Sequence, residues 1–111
     1  KVVYGEEDQT DFADEERGYQ IQWLVPESNE KEMEPIIITF EEDGEFKIFE
    51  PSLSETFGYV LKGKIKVILG KREYYAKEGE SIYFSASDQH QIINGHKGIS
   101  QLLLVATDSY L

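Results

Sequence analysis

From Tyr19 onward, apolar and polar side chains alternate in short runs broken by turn residues, and no stretch carries the spacing of an amphipathic helix. Tyr19 to Val25 puts Tyr19, Ile21, Trp23 and Val25 on one side and Gln20 and Gln22 on the other, which predicts a strand with one dry face. Ile36 to Phe40 is a β-branched run between Pro35 and the turn signal Glu42-Asp43-Gly44, as a central strand would be. Strands are expected again at Glu45–Phe49, Thr56–Lys62, Lys64–Leu69, Arg72–Ala76, Ser81–Phe84, Gln91–Asn94 and Ile99–Thr107. The connections among the later strands are a few residues long, so sequence neighbours are expected to pair antiparallel. About nine short strands without helices predict an all-β sandwich or barrel.

The run Thr56–Leu61 is apolar on both faces, with Thr56, Gly58 and Val60 on one and Phe57, Tyr59 and Leu61 on the other. The large face needs a covering layer, either the strand around Trp23 or a partner subunit, and a homodimer is expected. The smaller face leaves room for a cavity.

Upstream of this sheet, Glu6 to Arg17 is acid-rich around a lone Phe12, so residues 1–18 read as a solvated arm or linker and residues 19–111 as the barrel domain. A length of 111 residues fits one domain. The 11 basic and 22 acidic residues give a formal charge of −11, which repels nucleic-acid phosphates. The absence of cysteine removes disulfides and thiolate chemistry, and an intracellular, cytoplasmic home is the expectation. No apolar run is long enough to cross a bilayer as a helix, and no signal-peptide core is present, so a soluble protein with no membrane partner is expected. The chain begins at Lys1, which reads as a fragment whose upstream part is missing.

The segment Phe57-Gly58-Tyr59-Val60-Leu61-Lys62-Gly63, the Gly79 turn, Ser81-Ile82-Tyr83-Phe84 and His90-x3-Asn94 resemble the two motifs of the cupin superfamily. More narrowly, the chain is similar to the C-terminal cupin domain of bacterial regulators with a lambda-repressor-type helix-turn-helix. The resemblance implies an antiparallel jelly-roll barrel. A metal-binding cupin is expected to bring two histidines and a glutamate from the first motif and a histidine from the second. Aligned on Gly63, the glutamate position falls on Thr56 and the second histidine position on Ser52, with Glu50 two residues before it; the second motif places its histidine on His90. One ligand of four survives, and hydroxyls are poor ligands for divalent transition metals, so neither metal nor other cofactor is expected. Glu55 faces away from Thr56 by parity.

The resulting expectation is a small-molecule-sensing and dimerisation domain of a transcriptional regulator, lined by Ser52, Thr56, Val60 and His90, reaching DNA only through a domain absent from this chain. The alternatives are a stand-alone metal-dependent cupin dioxygenase or isomerase, and a barrel that only dimerises. His90 reads either as a hydrogen-bonded core group or as a ligand-reading group. Asn94 is expected to serve the turn into Gly95, His96 to be solvated, and Tyr74, Tyr75 and Tyr83 to be packing residues with wet hydroxyls.

Overall fold

The computed structural model describes residues 1–107; residues 108–111, the end of the expected barrel domain, lie outside the described residues. Among the described residues nine strands form: β1 (Thr10–Asp14), β2 (Tyr19–Trp23), β3 (Glu34–Phe40), β4 (Glu55–Lys62), β5 (Lys64–Leu69), β6 (Arg72–Lys77), β7 (Ser81–Ser85), β8 (His90–Asn94) and β9 (Ser100–Ala106). Short 3-10 turns occupy Glu6–Asp8 and Ser28–Glu30. A six-stranded sheet has the order β1-β2-β3-β9-β4-β7 and a three-stranded sheet the order β6-β5-β8, with every pairing antiparallel.

Period-two burial along β3, β4 and β9 turns alternate residues inward. Ile21, Ile38, Val60 and Leu102 of the large sheet join Ile65, Val67, Ala76 and Ile92 of the small sheet in one buried cluster, so the two sheets face each other across a single core. Apolar burial of this kind supplies the main driving force, about 25 cal/mol for each Å² taken from water.

Three expectations are corrected. Thr10–Asp14 is not a free arm: it forms edge strand β1, with Phe12 opposite Ile21, because its backbone can use the open edge of β2 whatever the charge of its side chains. Glu45–Phe49 is not a continuous strand. It touches β8 through isolated bridges, Glu45 to Ile93 and Phe49 to His90, while Phe46 inserts into the core.

Sequence neighbours also part company. β4 and β5 are separated by Gly63 alone yet belong to different sheets, and β6 and β7 likewise diverge. Gly63 has φ +78°, and a Cβ there would run into Ser100 Oγ, His96 Nε2 and the Ile99 carbonyl, so glycine is what allows the chain to swing from one sheet to the other. Ser100 Oγ secures the corner, accepting from Lys64 N at 3.1 Å and lying 2.9 Å from the Lys64 carbonyl.

On β4 the two faces separate as parity requires. Thr56, Gly58 and Val60 are buried, whereas Phe57, Tyr59 and Leu61 stay 36–39% exposed on the outer face. The strand around Trp23 cannot cover them, because β2 lies in the same sheet as β4. A bulge between Val60 and Lys62 sets Lys62 opposite Gln101, so the outer row of β4 carries Glu55 at one end and Lys62 at the other.

Candidate functional site

His90 opens β8, and its backbone exchanges hydrogen bonds with Phe49, N to O at 2.9 Å and O to N at 2.8 Å. Its ring stacks on Phe49 at a centroid distance of 5.2 Å and meets Phe84 edge-on at 5.1 Å. Phe49 in turn meets Phe46 at 5.2 Å, and Phe46 meets Tyr19 at 5.0 Å, both edge-on. The five rings make a chain from β2, through the Phe46–Phe49 segment and β8, to β7, and thus tie the large sheet to the small one and back. Offset and edge-on pairs of this kind add about 0.5–1.5 kcal/mol each beyond burial.

Burial among these rings pushes the His90 imidazole below its ordinary pKa of 6.5, opposed by a hydrogen bond to the Asp88 backbone. A folded-state pKa below the unfolded one means that unfolding takes up a proton. This contribution to stability is therefore fully present above about pH 6.5 and is lost as the pH falls through the lowered folded value. His90→Phe, which keeps an aromatic ring and removes the titration, is expected to flatten that acid-side loss; urea midpoints at about pH 7.5 and about pH 5.5 for the two chains measure it. Equal acid-side losses would mean that His90 titrates as freely as in the unfolded chain.

The four residues expected to line a cavity stand in different surroundings. Thr56 and Val60 are fully buried on the inner face of β4, and His90 lies within the aromatic chain. Ser52 is exposed in the loop before β4, 2.9 Å from Ser54 Oγ, and it is Ser54 that is buried there. Asn94 does more than serve a turn. Its Nδ2 donates to the carbonyls of Glu41 (2.8 Å) and Gly98 (2.7 Å), and its Oδ1 accepts from His96 N (3.2 Å) and lies 2.9 Å from Ser100 Oγ. His96 is exposed, as expected.

An open space lies where β6 and β7 separate into different sheets. A cleft of about 430 Å³ runs between them, within the range of small-molecule sites. Its floor is apolar, made by Val67, Leu69, Ala76, Ile82 and Phe84. Tyr74, Tyr75 and Tyr83 line it while keeping 46–65% of their surface exposed, with Glu80 and Ser81 beside them. The sequence signal for the cleft is the pair of tyrosine-bearing runs flanking the Gly79 turn, which taken alone suggest only packing. Phe84 is the common wall: one side belongs to the cleft and its ring meets His90.

Residues 38–106 match the family described as Cupin domain. The chain belongs to the cupin family. Among solved structures, the cupin fold here is similar to an HTH_3 family transcriptional regulator from Vibrio cholerae, at 18% identity and TM-score 0.71 over 83% of this chain and 52% of that one. The cupin chain thus spans about half the length of that regulator. It is similar as well to the Cupin_2 domain of an XRE family transcriptional regulator from Enterobacter cloacae, at 10% identity and TM-score 0.72 over 83% of this chain and 98% of that one. FeII HppE is similar at 17% identity and TM-score 0.78, over 96% of this chain and 60% of that one. These likenesses show the jelly-roll fold. No curated protein matches the chain by sequence.

The metal that a cupin can carry does not fit the donors found. Among the described residues, no group of three or more His, Cys, Asp or Glu side chains is placed to hold an ion. At the positions implied by the family stand an exposed serine hydroxyl, a buried threonine hydroxyl and the His90 imidazole, a set too poor in donors for a divalent transition metal. Glu50 is exposed and accepts from Gln89 Nε2 at 3.2 Å, and Glu55 is taken by the Tyr83 hydroxyl on the outer face. Among the described residues, no helix is long and apolar enough to cross a membrane.

Proposed function

We propose that this cupin is the small-molecule-sensing and dimerisation domain of a bacterial transcriptional regulator, with DNA contacted by a domain outside this chain. The observation that carries the reading is an open, largely apolar cleft in a cupin whose family ligand positions, outside the cleft lining, hold one imidazole and two hydroxyls. Such a site is suited to binding and not to holding a catalytic metal. The likeness to cupin domains of two regulators supports the same reading, and the charge of −11 is compatible with it because the basic surface belongs on the DNA-binding part.

The dimer contact is the outer face of β4. Phe57 lies between Val105 and Tyr83 across the sheet, and Tyr59 beside Leu103, which itself neighbours Ile37. This makes a continuous apolar patch. A two-fold axis through its middle brings Glu55 of each protomer toward Lys62 of the other, so the surface is self-complementary. An effector that prefers one dimer arrangement then shifts the spacing of the attached DNA-binding domains.

Light scattering on the eluted chain is expected to give a dimer, and Tyr59→Asp is expected to weaken it at least about a hundredfold by burying an unpaired charge, with the circular dichroism unchanged. A monomeric wild type, or a Tyr59→Asp chain that stays dimeric, sinks the β4 contact. Near-stoichiometric iron, manganese, nickel or zinc retained on purification and lost in His90→Ala would instead favour the reading as a metal-dependent enzyme, which the likeness to FeII HppE supports.

A further inference from the structure

The cleft between β6 and β7 differs in chemistry from the rest of the surface. Against a chain charge of −11, Glu80 is the one charged side chain among the residues that line it, and Glu80 Oε1 already accepts from Lys77 N at 2.8 Å. The lysines beside the rim are engaged: Lys64 and Lys66 stand 4.9 and 5.8 Å from the Tyr75 ring centre, and Lys66 pairs with Glu73 at 2.6 Å. An entering anion would therefore meet a carboxylate and an apolar floor, with no lining cation to replace its lost water. A flat uncharged molecule meets apolar surface below and tyrosine rings at the rim.

The depth of the cleft depends on Gly58. A Cβ there would lie 2.8 Å from Ile82 Cγ1 and 3.1 Å from Leu102 Cδ1, so the glycine lets Ile82 settle against the sheet instead of standing up into the opening. The mouth is kept wide by a residue on the strand behind it.

From this we propose that the cleft takes an uncharged, flat, largely apolar ligand of aromatic type, and that it discriminates against organic acids and sugar phosphates. This rests on the sensor reading and names the class of effector. Nothing in the contact requires a covalent step. Ile82 and Phe84 form the surface the ligand lies on, and Phe84 passes the contact to His90 and the ring chain that joins the sheets.

The test uses a matched pair of fluorescent probes, neutral N-phenyl-naphthylamine and its sulfonated analogue anilinonaphthalene sulfonate, titrated into the whole chain. The neutral probe is expected to bind, and the sulfonate at least about tenfold more weakly, the penalty of one like charge at close range in a partly screened cleft. Ala76→Trp, which fills the floor, should weaken the neutral probe at least about tenfold, because the apolar surface it would cover is then occupied by the indole. Should that variant fail to fold, Gly58→Ala and Tyr74→Ala carry the test, each with a smaller effect. Equal affinity for the two probes, or a neutral probe indifferent to all three variants, overturns the proposal. Light scattering on the same samples separates the two levels. Neutral-probe binding in the cleft of a chain that scatters as a monomer would keep the ligand class and sink the sensor; a dimer that ignores the neutral probe would sink the ligand class and keep the dimerisation domain.

Discussion

Phe46→Ala is expected to cost about 3–5 kcal/mol of folding stability, a large fraction of what a domain of this size has. Phe46 has no exposed surface, yet it lies outside the named strands and is held by its rings: Tyr19 on one side at 5.0 Å and Phe49 on the other at 5.2 Å. Truncation leaves a ring-sized void between β2 and the Phe49–His90 stack, which the bridged backbone at Glu45 and Phe49 prevents from closing. Urea denaturation followed by the lone Trp23 measures the effect. A decrease below about 1 kcal/mol would mean that the segment collapses onto the void, and that the ring chain does not hold the sheets together.

Asn94→Ala is expected to cost about 2–3 kcal/mol although the side chain is only half-buried, because one amide serves four partners. Nδ2 holds the carbonyls of Glu41 and Gly98, and Oδ1 holds His96 N and the Ser100 hydroxyl. Three separate segments meet at this amide: the end of β3, the loop before β9, and β9 itself. Asn94→Asp is the sharper variant, since it keeps the acceptor and turns both donors into a carboxylate facing two carbonyls. It should be at least as unstable as alanine at neutral pH. An aspartate variant as stable as wild type by thermal melting would show that the two carbonyl contacts contribute nothing.

The sheets are legible in the sequence where side-chain parity is clean. Ile36–Phe40 and Ile99–Thr107 predict strands, and β3 and β9 alternate strictly in burial over Glu34–Phe40 and Ser100–Ala106. The Phe57–Gly63 and His90–Asn94 motifs point to the jelly roll and the family. Legibility ends where backbone pairing does not depend on side-chain pattern. Thr10–Asp14 has no apolar period to read, and its pairing with β2 comes from main-chain groups. Short connections at Gly63 and Glu78–Glu80 promise hairpins, but the chain changes sheets at both, because a closed core needs strands on two sides.

The cleft is hidden for the same reason. Its two walls are adjacent in sequence and would be paired to each other on spacing alone, and only their separation opens the space between them. Ser52 aligns with a ligand position, yet the loop before β4 carries it outward and turns Ser54 in. The face carrying Phe57, Tyr59 and Leu61 shows in its parity that it needs cover. Parity does not show that the strand around Trp23 joins the same sheet and leaves that face bare.

Edge strand β1 bears on how the protein is expected to behave in crowded solution. The free border of a six-stranded sheet is a template on which further chains can add, and fibres grow from such borders. One of the two borders here is Thr10–Asp14, with Asp11 and Asp14 on the strand and Glu6, Glu7, Asp8, Glu15 and Glu16 flanking it, the other being β7. A second copy approaching that border meets a row of like charges before it meets a hydrogen-bonding partner. The acid-rich segment is thus expected to act as a colloidal guard at this border, opposing open-ended stacking through it.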